Sequence, residues 1–384
     1  MANGSKDGDG RRTHDETTKS YPIDRRTVLQ TTGVGVAGLA GLPEAGLAQS
    51  TSPGDELWSV QTDANVRSSP TVVDETVFVG SGDGFPSGGV SALAASDGSE
   101  KWTFQTDEGV ESSPTVVDET VFIGESRNGT AYALDAGDGS TKWQAQPSES
   151  FRSSPTVADG TVFVGGYAEV YTLDASDGSK NWRFQTGGIV HIASPTVVDG
   201  TVFVGGGHPT VYALDASDGS EQWRFETGGD CQSSPTVADG TVFIGSNDNN
   251  VYALDASNGS KEWTFQTNNL VQSSPTVVDG TVFVGSYDAT VYALDASDGS
   301  ERWRFETGDA IESSPTVVGG TVFVGSNDTN VYALDASDGS ERWRFETGGA
   351  VRSSPTVVDG TVFVGSNDTN VYALEAGVSG ASEG

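Results

Sequence analysis

The stretch ALDASDGSERW, Ala293 to Trp303, sets two carboxylates around an Asp-Gly turn and ends on a tryptophan. Acids so close together suggest a divalent cation, and near copies recur along most of the chain. A calcium loop wants about six oxygen ligands and commonly ends in a bidentate glutamate. Here only Asp295 and Asp298 stand close, and Asp295 is needed to accept hydrogen bonds from the turn. The pattern therefore reads as a turn, not a metal loop. Other chemistry is sparse. His191 and Cys231 hold the same repeat position in successive units, but two ligands make a poor metal site, and filling an apolar slot is the simpler reading. No Ser/His/Asp set, glycine-rich phosphate loop or Cys/His metal spacing is readable. No catalytic, cofactor or metal residue is assigned.

Where near-identical units differ, individual function is expected. The residue just before each SSP or ASP runs Arg67, Glu111, Arg152, Ile192, Gln232, Gln272, Glu312 and Arg352. In a ring of units these would crowd the mouth of a central channel. They are expected to pair across it as solvated charges, or to recognise an acidic peptide or small anion. The preceding residue is mostly apolar (Val66, Val110, Phe151, Cys231, Val271, Ile311, Val351) and is expected between units. Variable loops add Phe85 within Ser81–Gly89, Arg127, Tyr167, His208 and Tyr287. Both sets belong to one face, the expected site of a protein or peptide partner.

The elements that must position these residues follow from the period. The tryptophans stand at 58, 102, 143, 182, 223, 263, 303 and 343, and the prolines of the Ser-Pro element at 70, 114, 155, 195, 235, 275, 315 and 355. A fixed period near 40 means a solenoid or propeller. Each unit reads as four short strands: SPTVV, an Asp-Gly hairpin turn, TVFVG, then NVYALDA, a turn at DGS, and ERWRFET. No segment has helical periodicity. The fold expected is all-β, an eight-bladed propeller of four-stranded antiparallel blades. The last unit lacks its tryptophan strand, while LWSVQ, Leu57 to Gln61, precedes the first unit as an orphan. The strand around Trp58 is expected to complete the last blade and close the ring, which removes open edges.

Written by position, the opening stretch is Ala, any residue, Asp, three residues, Gly, three residues, Trp. Full matches are Ala133–Asp135–Gly139–Trp143, Ala213–Asp215–Gly219–Trp223, Ala253–Asp255–Gly259–Trp263, Ala293–Asp295–Gly299–Trp303 and Ala333–Asp335–Gly339–Trp343. Gly98–Trp102 and Gly178–Trp182 complete the series with Ala94 for Asp and Thr172 for Ala, and Ala373–Glu375 is a truncated copy. Over residues 57–376 the chain resembles the quinoprotein (PQQ) β-propeller family. The resemblance implies that this motif staples blade to blade. It also implies two functions to weigh. Quinone-dependent alcohol or sugar dehydrogenases of the family hold PQQ with calcium, a stacking tryptophan and a catalytic aspartate. This chain has no tryptophan to spare and one cysteine. The chain is more similar to the non-catalytic BamB-like propellers, which implies a binding or scaffold module for protein partners without a cofactor.

Composition bounds the rest. The chain has 384 residues and a formal net charge of −34. Residues 1–48 carry six basic and six acidic residues, so the remainder, with 14 against 48, holds all of the charge. Such a surface repels nucleic acid and anionic lipid. It suits a halophilic, haloarchaeal-type source, because salt screens the self-repulsion. Residues 1–48, with Arg25–Arg26 before a short apolar run, resemble a twin-arginine signal. The run is too short to span a membrane comfortably. The expected organisation is a signal over 1–48, a linker over 49–56, the propeller over 57–376 and a disordered tail over 377–384. The expected mature product is an exported, extracellular or cell-surface monomer without a transmembrane span.

Overall fold

The TVFVG runs alternate Val with Phe, and both sets are buried: Val282 and Val284 are fully buried and Phe283 is 2% exposed. A strand apolar on both faces must lie between two other layers. The computed structural model, which describes residues 51–82, 88–147, 150–187, 193–206 and 208–378, shows those layers to be neighbouring blades. Thirty-two strands form eight sheets of four antiparallel strands. Blades 1 to 7 are consecutive, spanning 71–106, 115–145, 156–185, 196–226, 236–266, 276–306 and 316–346. No helix occurs among the described residues. The hydrophobic core is divided into wedges between blades. Phe243, Val251, Ala253 and Trp263 of blade 5 meet Val282, Val284, Tyr292 and Leu294 of blade 6, and the same set recurs around the ring. This is how a chain beyond the size of one ordinary core stays folded.

The strand around Trp58 completes the last blade, as its sequence position implied. The strand Glu56–Gln61 lies outermost on the blade-8 sheet, beside Asn370–Glu375. The register is Trp58 opposite Ala373, Ser59 opposite Tyr372 and Val60 opposite Val371. Trp58, Phe363 and Val371 then pack on Val66, Val77 and Leu93 of blade 1. The ordered ring starts inside the stretch read as linker. Gly54 donates to Glu375 O at 2.7 Å, Glu375 N donates to Asp55 O, and a Cβ on Gly54 would lie 3.2 Å from the Trp343 ring. Gly54 stands four residues before Trp58, the spacing of every other docking glycine and tryptophan. The eighth docking motif is thus split, with Ala373 and Glu375 from one end of the chain and Gly54 and Trp58 from the other. Gly377 and Val378, assigned to the tail, also pack: Gly377 meets Pro53, and Val378 sits on Gly319 of blade 7.

The motif joins neighbouring blades. Trp263 Nε1 donates to Ala296 O of the next blade at 2.9 Å. Its ring lies where a Cβ on Gly299 would be, 2.6 Å away, and Gly299 has φ +72°. Only glycine meets both demands at little cost. Each tryptophan from Trp58 to Trp343 makes the same hydrogen bond to an alanine carbonyl of its neighbour. Each indole buries area worth roughly 4–6 kcal/mol.

The Ser-Pro-Thr element, legible only as a ruler, is a second fastening. The serine before each proline accepts from the backbone N–H of its counterpart in the preceding blade. Ser69 N donates to Ser113 Oγ at 2.9 Å, and the series continues to Ser354 N, which donates to Ser69 Oγ at 2.9 Å. The threonine after each proline donates to the next blade's proline carbonyl, closing with Thr356 to Pro70 O. Two hydrogen-bonded belts therefore circle the axis without a break.

Candidate functional site

The acidic turns are structural. Asp295 Oδ1 accepts from Ser297 N at 2.9 Å and its Oδ2 from Arg302 at 2.8 Å, while Asp298 Oδ1 accepts from Ser300 N. Hydrogen bonds from the Ser297 hydroxyl, then from Arg302, hold the Asp295 carboxyl well below the usual carboxylate range. These carboxylates are occupied within their own turns. Among the described residues no three His, Cys, Asp or Glu side chains gather as a metal set. All eight tryptophans are engaged between blades. The described residues therefore do not fit a quinone with its cation: there is no indole left to stack on it and, among them, no gathered acids to hold the metal.

The opposite face is built by the variable loops. In blades 5 to 8 an aspartate fastens each loop. Asp248 Oδ2 accepts from Gly228 N at 2.6 Å and from the Tyr252 hydroxyl at 2.6 Å. Asp288, Asp328 and Asp368 do the same with Asn268 and Tyr292, Gly308 and Tyr332, and Gly348 and Tyr372. Burial, then the carboxylate partner, pushes the Tyr332 phenol up to about 12. Glu125 serves blade 2 by accepting from Asp107 N, and Glu169 in blade 3 accepts from Tyr171. The sequence signal was an acid four residues before a tyrosine in the last four blades, a spacing that joins loop to strand. In blade 4 His208 holds this position, packed on Gly187, and Tyr212 donates instead to Thr186 O at 3.1 Å. A polar cavity of about 510 Å³ lies beside it, bordered by Gln185, Arg224 and Glu226.

With both loops fixed to the same end of each blade, the ring of residues before the Ser-Pro elements forms a collar. The described residues preceding them, Val66, Val110, Phe151, Cys231, Val271, Ile311 and Val351, are buried. A Cβ on Gly365 of blade 8 would collide with Val66. Cys231 is one of this set, and burial pushes its thiol up to about 12, so it is an inert filler. The described collar residues themselves are half-buried. Two of the collar arginines pair with a neighbour along the ring. Arg152 Nε lies 3.6 Å from Glu111 of the preceding blade, and Arg352 Nε lies 3.3 Å from Glu312. Blades 2 and 3, and blades 7 and 8, carry opposite charges, so these pairs need no crossing.

Tyr287 and two asparagines extend the collar. The Tyr287 hydroxyl donates to Gln272 Oε1 at 2.8 Å, and Gln272 Nε2 donates to Asn247 Oδ1 at 3.2 Å. Asn327 Nδ2 donates to Glu312 Oε1 at 3.0 Å and its Oδ1 accepts from Arg352 Nε at 3.2 Å. Gln232 holds the same position in blade 5. Arg127, Tyr167 and His208 are exposed on loops of blades 2, 3 and 4, outside this network, with Tyr167 53% exposed. Phe85, His191, Ile192 and the leader lie outside the described residues. Sequence reading missed Asn247 and Asn327, because a loop asparagine gains meaning only when the next blade's side chain reaches it.

Docking motif, blade order and closure define a class, the eight-bladed propeller built from PQQ-type repeats. A family model described as Outer membrane protein assembly factor BamB matches residues 45–128, 86–196, 168–288 and 287–380. The chain belongs to that family. Among solved structures it is similar to BamB from Moraxella catarrhalis, with a TM-score of 0.73 and 21% identity over 84% of this chain and 99% of the other. It is also similar to the computationally designed Ika8 protein, with a TM-score of 0.72 and 18% identity over 84% of this chain and 100% of that one. A third is the quinohemoprotein alcohol dehydrogenase ADHIIG from Pseudomonas putida HK5, with a TM-score of 0.70 and 15% identity over 86% and 77%. Likenesses at such identities establish the fold alone. Comparison with curated proteins finds no match.

Proposed function

We propose that this propeller is an exported, non-catalytic binding module that presents a protein or peptide partner with its collar and variable loops. One observation carries the reading. The motifs repeated in the blades are spent on closure, and the residues that differ from blade to blade meet on one face. Membership of the BamB family supports it, and so does the engagement of every tryptophan in a blade junction. The twin-arginine-like leader and the net charge of −34 support export into a salty exterior and a halophilic source.

The competing activity, a quinoprotein dehydrogenase, is tested directly. Purified protein is mixed with PQQ and Ca²⁺, then followed for a bound chromophore and for dye reduction with alcohols and sugars. No turnover is expected, and cofactor binding with turnover overturns the proposal. Photo-crosslinkers placed at Tyr167 and Arg127 should capture a defined partner from the extracellular fraction. The same crosslinkers on the acidic-turn face, at Asp298 and Asp338, should not. Equal capture from both faces would also overturn it.

A further inference from the structure

Asparagine followed by glycine is the step at which a backbone can attack its own side chain. Glycine has no Cβ to shield its nitrogen, and its peptide turns easily. The nitrogen can then reach the side-chain carbonyl carbon of the residue before it, provided that its N–H is not held elsewhere. The chain has three such steps: Asn3–Gly4, which lies outside the described residues, Asn128–Gly129 and Asn258–Gly259. The structure treats the two described steps differently.

Asn258 stands in the docking turn of blade 5, where the turn of blade 6 carries Asp298. Its side chain is exposed, yet the step is locked. Asn258 Oδ1 accepts from Ser260 N at 2.8 Å, and its Nδ2 donates to Ser257 Oγ at 3.4 Å. Gly259 N donates to Asp255 O at 2.8 Å. Gly259, at φ +71°, lies so close to the Trp223 ring that a Cβ there would meet it at 2.5 Å. Turning this peptide to present its nitrogen breaks the hydrogen bond and lifts the turn off the indole.

Asn128 stands in the variable loop of blade 2 and is half-buried. Its Oδ1 accepts from Thr130 N at 3.2 Å and from the Thr130 hydroxyl at 3.0 Å, which draws electron density away from the amide carbon. Its Nδ2, the group that has to leave, makes no hydrogen bond among the described residues. The Gly129 N–H, at φ +66°, has no partner among them either.

We propose that Asn128 is a site of spontaneous deamidation, and that blade docking protects Asn258. Gly129 N gives up its proton and bonds to Asn128 Cγ. The Cγ–Nδ2 bond breaks, and the amide nitrogen leaves with a proton as ammonia. Water then opens the cyclic imide at one of its two carbonyls, leaving aspartate or its β-linked isomer. Either product adds a negative charge beside Arg127, and the β-linked one lengthens the loop backbone by a carbon. The loop face therefore changes as the protein ages, while the docking turn does not. Exposure alone would order the two sites the other way.

The test follows the full chain in mildly alkaline buffer at high KCl. Samples are digested, and the peptides carrying residues 128 and 258 are measured by mass, with the β-linked form separated by chromatography. The change from amide to acid counts asparagine alone, so rearrangement at Asp-Gly turns does not enter. In the folded protein Asn128 should convert faster than Asn258 by roughly tenfold or more, since Asn258 must first open its hydrogen bond and its indole contact. In guanidinium chloride the two should convert at similar rates. Trp223→Ala should speed conversion at Asn258 and leave Asn128 unchanged, with a thermal melt showing that the variant is folded at the temperature used. Equal rates at the two sites in the folded protein, faster conversion at Asn258, or an Asn128 that stays intact while the unfolded chain converts overturns the proposal.

Discussion

Removing the Trp58 side chain tests closure at the joint where the two ends of the ring meet. The indole is 9% exposed, donates to Ala95 O at 2.9 Å, and lies where a Cβ on Gly98 would be, 2.8 Å away. It also meets Phe363 at 5.9 Å between ring centroids. Truncating a buried tryptophan to alanine costs about 3–5 kcal/mol. The orphaned Ala95 carbonyl adds about 1 kcal/mol. At roughly 2 °C per kcal/mol for a domain of this size, Trp58→Ala should melt about 10 °C below the parent. An internal control, Trp263→Ala, loses the same contacts, but its strand stays tied to the ring through the chain on both sides. Only Trp58→Ala should also release the strand Glu56–Gln61, which is held by pairing with Asn370–Glu375 and by Gly54. Hydrogen exchange read by mass spectrometry over residues 51–61 should rise in Trp58→Ala and not in Trp263→Ala. A melting temperature equal to the parent's, with protected amides at 56–61, would refute the closure argument.

Three further outcomes follow from the turns and the charge. Glu119 sits at φ +57° where most blades place glycine, so Glu119→Gly should gain about 1 kcal/mol by relieving left-handed strain. Gly299→Ala should instead lose well over 1 kcal/mol, since it adds a collision with Trp263 to the same strain; equal effects in denaturant melts would deny the docking role. Serine hydroxyls hold the carboxyls of Asp174, Asp215, Asp255, Asp295 and Asp335 below their ordinary value. A depressed carboxyl stabilises above its unfolded pKa, near 3.9, and loses that contribution as pH falls through the folded value. In high KCl, melting temperature should therefore stay level from neutral pH to about pH 5 and fall below about pH 4; a level curve down to about pH 2 would contradict it. With a net charge of −34, stability should climb as KCl rises from about 0.1 M to the molar range. A maximum at low salt would remove the halophilic reading.

The propeller was legible because its signals are local and repeated. Trp, Gly and Pro each recur once per blade, and the missing tryptophan strand at one end matches the orphan Trp58 at the other. What stayed hidden depends on neighbours in the ring. Gly54 was passed over because its alanine and acid, Ala373 and Glu375, lie at the far end of the chain. The serine and threonine belts were invisible for the same reason: Ser69 reads as a turn residue until Ser354 is placed beside it. The aspartate fastenings from Asp248 to Asp368 had a readable sign in their spacing to tyrosine. The collar residues were legible as variable positions, but pairing along the ring follows only once adjacent blades are known to carry opposite charges.

These observations divide the molecule by purpose. A residue that recurs in every blade must serve a junction that recurs as often, so consensus and closure are the same set. Tryptophan, docking glycine, belt serine and belt threonine each need a partner one blade away, and none is left over for a ligand. Function has room only where a junction tolerates variation. The loop face supplies it, since the loops of blades 2, 3 and 5 to 8 are each fastened at one carboxylate. Blade 4 shows the tolerance: His208 replaces the aspartate, Tyr212 finds Thr186 O instead, and the junction still closes. A face that accepts such exchanges without loss of the ring can diverge in what it binds while the eight-bladed frame stays constant.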